Sequence, residues 1–151
     1  MGKNNGGNSR KGILYVVGTG PGSPDYLTPA ALKAIECSTV IVGYRTYLDL
    51  ISEMIAGKEV FSSSMMQEVE RVKKAIEIAE NGETVALVSG GDPGIYAMAG
   101  LVYDIASAQD SEVEIRTIAG IAALNSCAER LGAPLMHDFA CISLSDLLTP
   151  W

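Results

Sequence analysis

The chain has 151 residues, enough for one domain with a substantial core, and 48% of them are hydrophobic, which excludes a disordered polymer. Its net charge of −7 argues against a general nucleic-acid binder and leaves room for a small anionic ligand held by local basic side chains. No apolar run is long enough to span a membrane and no signal-type apolar core follows Met1, so a cytoplasmic protein is expected.

Residues 1–11 read as a disordered arm rich in Asn, Gly and Lys. A β-branched strand over residues 12–17 runs into a glycine loop, residues 18–25. Thr28 as cap and Pro29 at the first helical position then start a helix that reaches Cys37. Residues 39–42 form a second strand ending at Gly43. A helix over residues 45–55 follows, with Tyr47, Leu48, Ile51, Met54 and Ile55 on one face, stopped by Gly57. Residues 58–61 are a short third strand toward a sheet edge. Ser62, Ser63 and Ser64 cap a long helix to Asn81, whose stripe is Met65, Val69, Val72, Ile76 and Ala79. Residues 84–89, apolar throughout, suit the centre of a parallel sheet. A second glycine loop, residues 90–94, leads to a helix striped by Ile95, Met98, Val102 and Ile105. Residues 112–118 are a fifth strand, and Ile121, Leu124, Ala128 and Leu131 stripe a last helix closed by Gly132. Residues 140–145 are one more candidate strand.

Alternating strands and helices imply an α/β fold, a mostly parallel five-stranded open sheet flanked by helices, with right-handed crossovers. Gly18, Gly43, Gly90 and Gly120 each stand at a strand end, and in a parallel sheet all four fall along one edge. That edge is where open α/β sheets bind ligands. The first loop is not a dinucleotide fingerprint. Ser23 stands where the third glycine would be, and no acidic residue ends the second strand at Val42-Gly43. Cys37, Cys127 and Cys141 are odd in number and in no metal-type spacing, so no metal site and three buried reduced thiols are expected.

Several stretches carry a resemblance. Gly18-Thr19-Gly20-Pro21-Gly22-Ser23-Pro24-Asp25-Tyr26-Leu27-Thr28 resembles the proline-containing glycine loop of the tetrapyrrole methyltransferase superfamily, and Gly91-Asp92-Pro93 resembles its second signature. Residues 41–51, from Ile-Val-Gly-Tyr-Arg onward, resemble the precorrin-3B C17-methyltransferases of cobalamin synthesis. So do residues 94–100 and the stretch Gly132-Ala133-Pro134-Leu135-Met136-His137-Asp138-Phe139. One departure is Ala119 before Gly120, where relatives often carry Pro.

The resemblance implies the N-terminal domain of the tetrapyrrole methylase fold over residues 12–135. Residues 136–151 would start a connection to a second domain absent here, so that this chain alone is expected to have weak or no activity. It implies S-adenosylmethionine as methyl donor, a small tetrapyrrole substrate methylated at C17 with ring contraction, and a homodimer. It also implies Gly91, Asp92, Ile95, Gly120 and Ala122 on the cofactor side, with the donor carboxylate received by backbone N–H groups of residues 91–94 at a helix start. Gly20, Pro21, Gly22, Tyr44 and Arg45 would face the substrate. Asp25 either assists proton transfer or only fixes its own loop. Asp92 either serves the cofactor or caps a helix. Arg45 either pairs with an acid side chain of the substrate or is solvated, and His137 is either a poised acid or base or a solvated side chain. Another tetrapyrrole methyltransferase, such as one acting on uroporphyrinogen III, and a non-catalytic dimerising fragment are the competing readings.

Overall fold

The computed structural model describes residues 11–142. Five strands, β1 (Ile13–Gly18), β2 (Val40–Tyr44), β3 (Glu59–Ser63), β4 (Thr84–Ser89) and β5 (Glu114–Ile118), form one sheet in the order β3-β2-β4-β1-β5. Every pairing is parallel. The helices are α1 (Pro29–Cys37), α2 (Arg45–Leu50), α3 (Glu68–Glu80), α4 (Met98–Ala108) and α5 (Ala123–Leu131).

The strand order dictates the layers. From β1 to β2 to β3 the chain steps one way across the sheet, and from β3 to β4 to β5 it steps back. Right-handed crossovers must then put α1 and α2 on one face and α3 and α4 on the other. The two cores have that composition. Val17, Ile41, Ala86 and Val88 pack with Ala31, Ile35 and Leu48 on the first face. Leu14, Val16, Val85 and Leu87 pack with Val72, Ile76 and Val102 on the second. Each Val, Leu or Ile side chain among them, fully buried, stabilises the fold by about 1.5–3 kcal/mol, and each Ala by less. The chain leaves the neighbouring strands β1 and β4 toward opposite faces, which opens a crevice between their C-terminal ends.

Local chemistry explains the element boundaries. Thr28 Oγ1 accepts the Ala31 N–H at 3.1 Å, and Pro29 opens α1 as expected. The serine run does not cap α3. Ser62 and Ser63 pair with Gly43 and Tyr44 in the sheet, Met66 turns the chain at φ 65°, and α3 starts at Glu68. Sheet pairing outweighs the capping preference of serine, and Met65 and Val69 are left exposed. The expected helix over residues 45–55 is helical only to Leu50. Turns carry the rest, and they still bury Ile51 and Ile55. All three cysteines are exposed, contrary to expectation: Cys37 ends α1 on its outer side, Cys127 lies on the wet side of α5, and Cys141 lies in the segment after it. Ala140, Cys141 and Ile142 are not in a strand; the rest of that candidate strand, residues 1–10 of the polar arm and most of the expected connection lie outside the described residues. Among the described residues no helix is long and apolar enough to cross a membrane.

Candidate functional site

Three strand-end loops meet backbone to backbone. After β1, Thr19 binds the Ser89 carbonyl twice, through N–H at 2.9 Å and Oγ1 at 3.0 Å. Gly20 and Gly91 then exchange an antiparallel pair of hydrogen bonds, Gly20 N–H to Gly91 O at 3.1 Å and Gly91 N–H to Gly20 O at 2.7 Å. The turn after β5 closes on the same point. A Cβ on Gly120 would lie 2.1 Å from the Gly91 carbonyl oxygen, and one on Gly18 would lie 2.5 Å from it. No side chain fits there, which is the physical reason for glycine at these two strand ends.

Asp92 fastens the junction. Its Oδ1 accepts the Gly94 N–H at 2.8 Å and its Oδ2 accepts the Gly120 N–H at 3.1 Å. One carboxylate thus ties the β4 loop to the β5 turn. The helix after this loop does not begin at Gly94 or Ile95. Tyr96 turns the chain at φ 49° and α4 starts at Met98. The expected anion seat therefore lies in a loop rather than at a helix start, and most of its N–H groups are already engaged. The Gly91 N–H is bonded to Gly20, the Gly94 N–H to Asp92 Oδ1 and the Ile95 N–H to the Asp92 carbonyl at 3.3 Å.

Above the junction lies a cavity of about 360 Å³. Gly20, Pro21, Gly91, Asp92, Ile95 and Ala122 line it, so six of the residues expected at the site are brought together. Gly120 stands behind the wall, held by Asp92. Gly22, at φ 116°, faces a much smaller crevice beside Leu50. Tyr44 walls a neighbouring cavity, with its ring edge-on to that of Tyr47 at 5.6 Å. Arg45 opens α2 as an exposed side chain and lines neither cavity. Asp25 is exposed in a short 3-10 turn, Pro24–Tyr26, where its N–H reaches Ser23 Oγ at 3.4 Å; it is not brought to the pocket. His137 is exposed.

The pocket also has walls that sequence reasoning assigned elsewhere or left unassigned. Tyr47, placed on a core-facing stripe, supplies an aromatic wall, and its ring would lie 2.6 Å from a Cβ on Gly90. Tyr96 was unassigned. Its hydroxyl donates to the Cys141 carbonyl at 2.9 Å, drawing the segment after α5 to the rim. The signal for Tyr47 was its companion Gly90, since a glycine at a strand end can make room for a ring as well as for a ligand.

Across residues 13–151 the chain matches the family described as Tetrapyrrole (Corrin/Porphyrin) Methylases. It belongs to that family. A probable cobalt-factor III C(17)-methyltransferase of Salmonella typhimurium is 50% identical over 139 residues, covering 92% of this chain and 58% of the relative. A precorrin-3B C(17)-methyltransferase of Sinorhizobium sp is 42% identical over 143 residues, covering 93% and 56%. A solved structure of the methyltransferase CobJ superposes with a TM-score of 0.86 at 39% identity, covering 93% of this chain and 59% of that one. This tetrapyrrole methylase chain therefore spans a little over half the length of these relatives. A uroporphyrin-III C-methyltransferase of Thermus thermophilus, solved with S-adenosylhomocysteine, superposes at 0.65 with 26% identity over 84% of this chain and 54% of that one.

Proposed function

We propose that this chain is the N-terminal part of an S-adenosylmethionine-dependent methyltransferase that methylates precorrin-3B, or its cobalt-containing counterpart, at C17 during ring contraction. The observation that carries the reading is the pocket above the Gly18–Gly91–Gly120 junction, whose lining brings together the Gly20-Pro21 and Gly91-Asp92 motifs that resemble the family's signatures. The names of the C17-methyltransferase relatives support this choice of substrate.

The pocket fits the donor. Its volume falls in the ordinary range for small-molecule sites. Its floor is bare backbone at Gly20 and Gly91, and Tyr47, Ile95 and Ala122 offer aromatic and apolar walls for a thioadenosine. The chemistry the donor supplies when bound is a methyl group already activated on a sulfonium sulfur. The protein's share is therefore to position the reactants and exclude water. Gly20 and Gly91 allow close approach of backbone, Asp92 keeps the β4 loop and β5 turn in register, and Pro21 stiffens the rim toward the substrate. The reading gives this chain's own residues no role as acid or base.

Isothermal titration of the chain with S-adenosylhomocysteine tests the donor site. One-to-one binding is expected, and Asp92→Ala is expected to weaken it about tenfold by freeing the Gly120 turn, as the loss of a charge-assisted hydrogen bond implies. Equal affinity of a folded Asp92→Ala protein would overturn the placement.

A further inference from the structure

Behind the Tyr47 wall lies a second cavity of about 260 Å³ that shares Tyr47, Gly90, Ile95 and Tyr96 with the first. Into it faces Arg71 of α3, only 6% exposed. Its Nε donates to Ser63 Oγ at 2.6 Å and its Nη2 to the Ser64 carbonyl at 2.9 Å. Among the described residues its Nη1 has only the Met98 sulfur, at 3.9 Å, which is a weak acceptor. The Tyr44 ring lies 5.9 Å from the guanidinium carbon. Among the described residues no carboxylate lies within ion-pair distance of it. A buried guanidinium without a counter-charge is costly, and it is the side chain best shaped to receive a carboxylate.

A second group points the same way. Ser89 is 4% exposed and its hydroxyl has no hydrogen-bond partner among the described residues. Along β4 the side chains of Val85 and Leu87 face α3 and α4, so strand alternation sets Ser89 on the face that carries Arg71. Among the described residues Glu68 is the one carboxylate lining this cavity, three residues before Arg71 on the same helix, and it is not paired with it.

We propose that this cavity is a carboxylate subsite, in which Arg71 and Ser89 take an acid arm of a ligand whose body occupies the adjoining pocket. The proposal rests on the methyltransferase reading for its two sources of such an arm: an acid side chain of the macrocycle, or the amino-acid carboxylate of the donor. Either leaves the Arg71 charge compensated and the Ser89 hydroxyl bonded. Glu68 competes for the same guanidinium.

The test compares the chain with Arg71→Gln, titrated with three probes. Uroporphyrin is an octacarboxylate macrocycle, S-adenosylhomocysteine carries the donor's carboxylate, and 5′-methylthioadenosine has the thioadenosine without it. Arg71→Gln is expected to weaken one of the first two by about tenfold or more and to leave methylthioadenosine unchanged. Which of the two is weakened identifies the source. Ser89→Ala removes only a hydroxyl that already lacks a partner, so it keeps the test valid if Arg71→Gln does not fold. It is expected to weaken the same probe about threefold, and Glu68→Gln to tighten it. Wild-type affinity of both carboxylate probes in folded variants overturns the subsite, as does failure of the parent chain to bind either. Arg71-dependent uroporphyrin binding with no S-adenosylhomocysteine binding would instead keep the subsite and overturn the donor site.

Discussion

The strands β2, β4 and β1 and the flank formed by β5 and α5 were built from the same kinds of residue pattern and fare differently. In β4 five of six residues are buried, and Leu14, Ile41 and Leu87 are fully so. In β5 none is buried, and in α5 only Ser126 is. Leu131 is 79% exposed, and Leu135, Met136 and Phe139 beyond it are also exposed. Hydrophobic periodicity states which face of an element seeks cover. Whether it finds cover depends on what stands opposite: helices on both faces of the central strands, and far less beside the edge.

The largest effect should separate those two regions directly. Leu87→Ala removes a fully buried side chain between β1 and β2 and is expected to destabilise by about 2–5 kcal/mol. Leu131→Ala, at a solvated helix end, should stay within about 0.5 kcal/mol. Urea titrations of both variants measure the contrast. An equal loss for Leu131→Ala would mean that α5 is covered in solution, and a concentration-dependent midpoint would then identify a second copy as the cover.

The next contrast lies between two glycines. Gly120→Ala places a Cβ against the Gly91 carbonyl oxygen, where backbone cannot yield, and should cost about 1–3 kcal/mol or more. Gly100→Ala, inside α4 with nothing within 4 Å, should stabilise by about 0.5–1 kcal/mol. Thermal melts check the opposite signs. A neutral Gly120→Ala would show that the β5 turn is only loosely seated on the other two loops.

Most of the architecture was legible because its determinants are local. The β-branched runs, the Thr28-Pro29 start and the strand-end glycines each act within a few residues, and together they specify a parallel α/β sheet with a ligand edge. What was not legible depends on partners distant in sequence. The Ser62–Ser63 pair reads as a cap and becomes sheet because Gly43 and Tyr44 lie alongside. Asp92 reads as either a cofactor residue or a helix cap, and neither reading shows its bridge to Gly120, 28 residues away. Arg71 sits four residues before Ala75 and seven before Ile78, so it belongs to the buried stripe of α3. A cation in an apolar stripe is the sign of the second cavity, and a stripe that runs through Val69 passes it by. Arg45, the basic residue within the 41–51 stretch, is exposed and lines neither cavity.

The smallest predicted effect concerns the link between the glycine junction and the exposed flank. Tyr26, at the end of the proline loop, donates its hydroxyl to Glu129 Oε2 of α5 at 2.8 Å. That hydrogen bond, and then the nearby negative charge of Glu129, hold the Tyr26 phenol above its ordinary value of 10.0. The folded form therefore favours the neutral phenol. This contribution is complete below pH 10 and is lost as pH rises through the raised value, when a phenolate would face a carboxylate. The pair is exposed, so global stability should barely change. The readout is local: in NMR titrations the Leu124 and Leu131 methyl signals of α5 should shift as Tyr26 ionises. Tyr26→Phe should abolish that step, and Glu129→Gln should return Tyr26 toward 10. An unchanged Tyr26 titration in Glu129→Gln would show that the loop and α5 are not joined through this bond, leaving α5 still less attached to the sheet than its one buried serine implies.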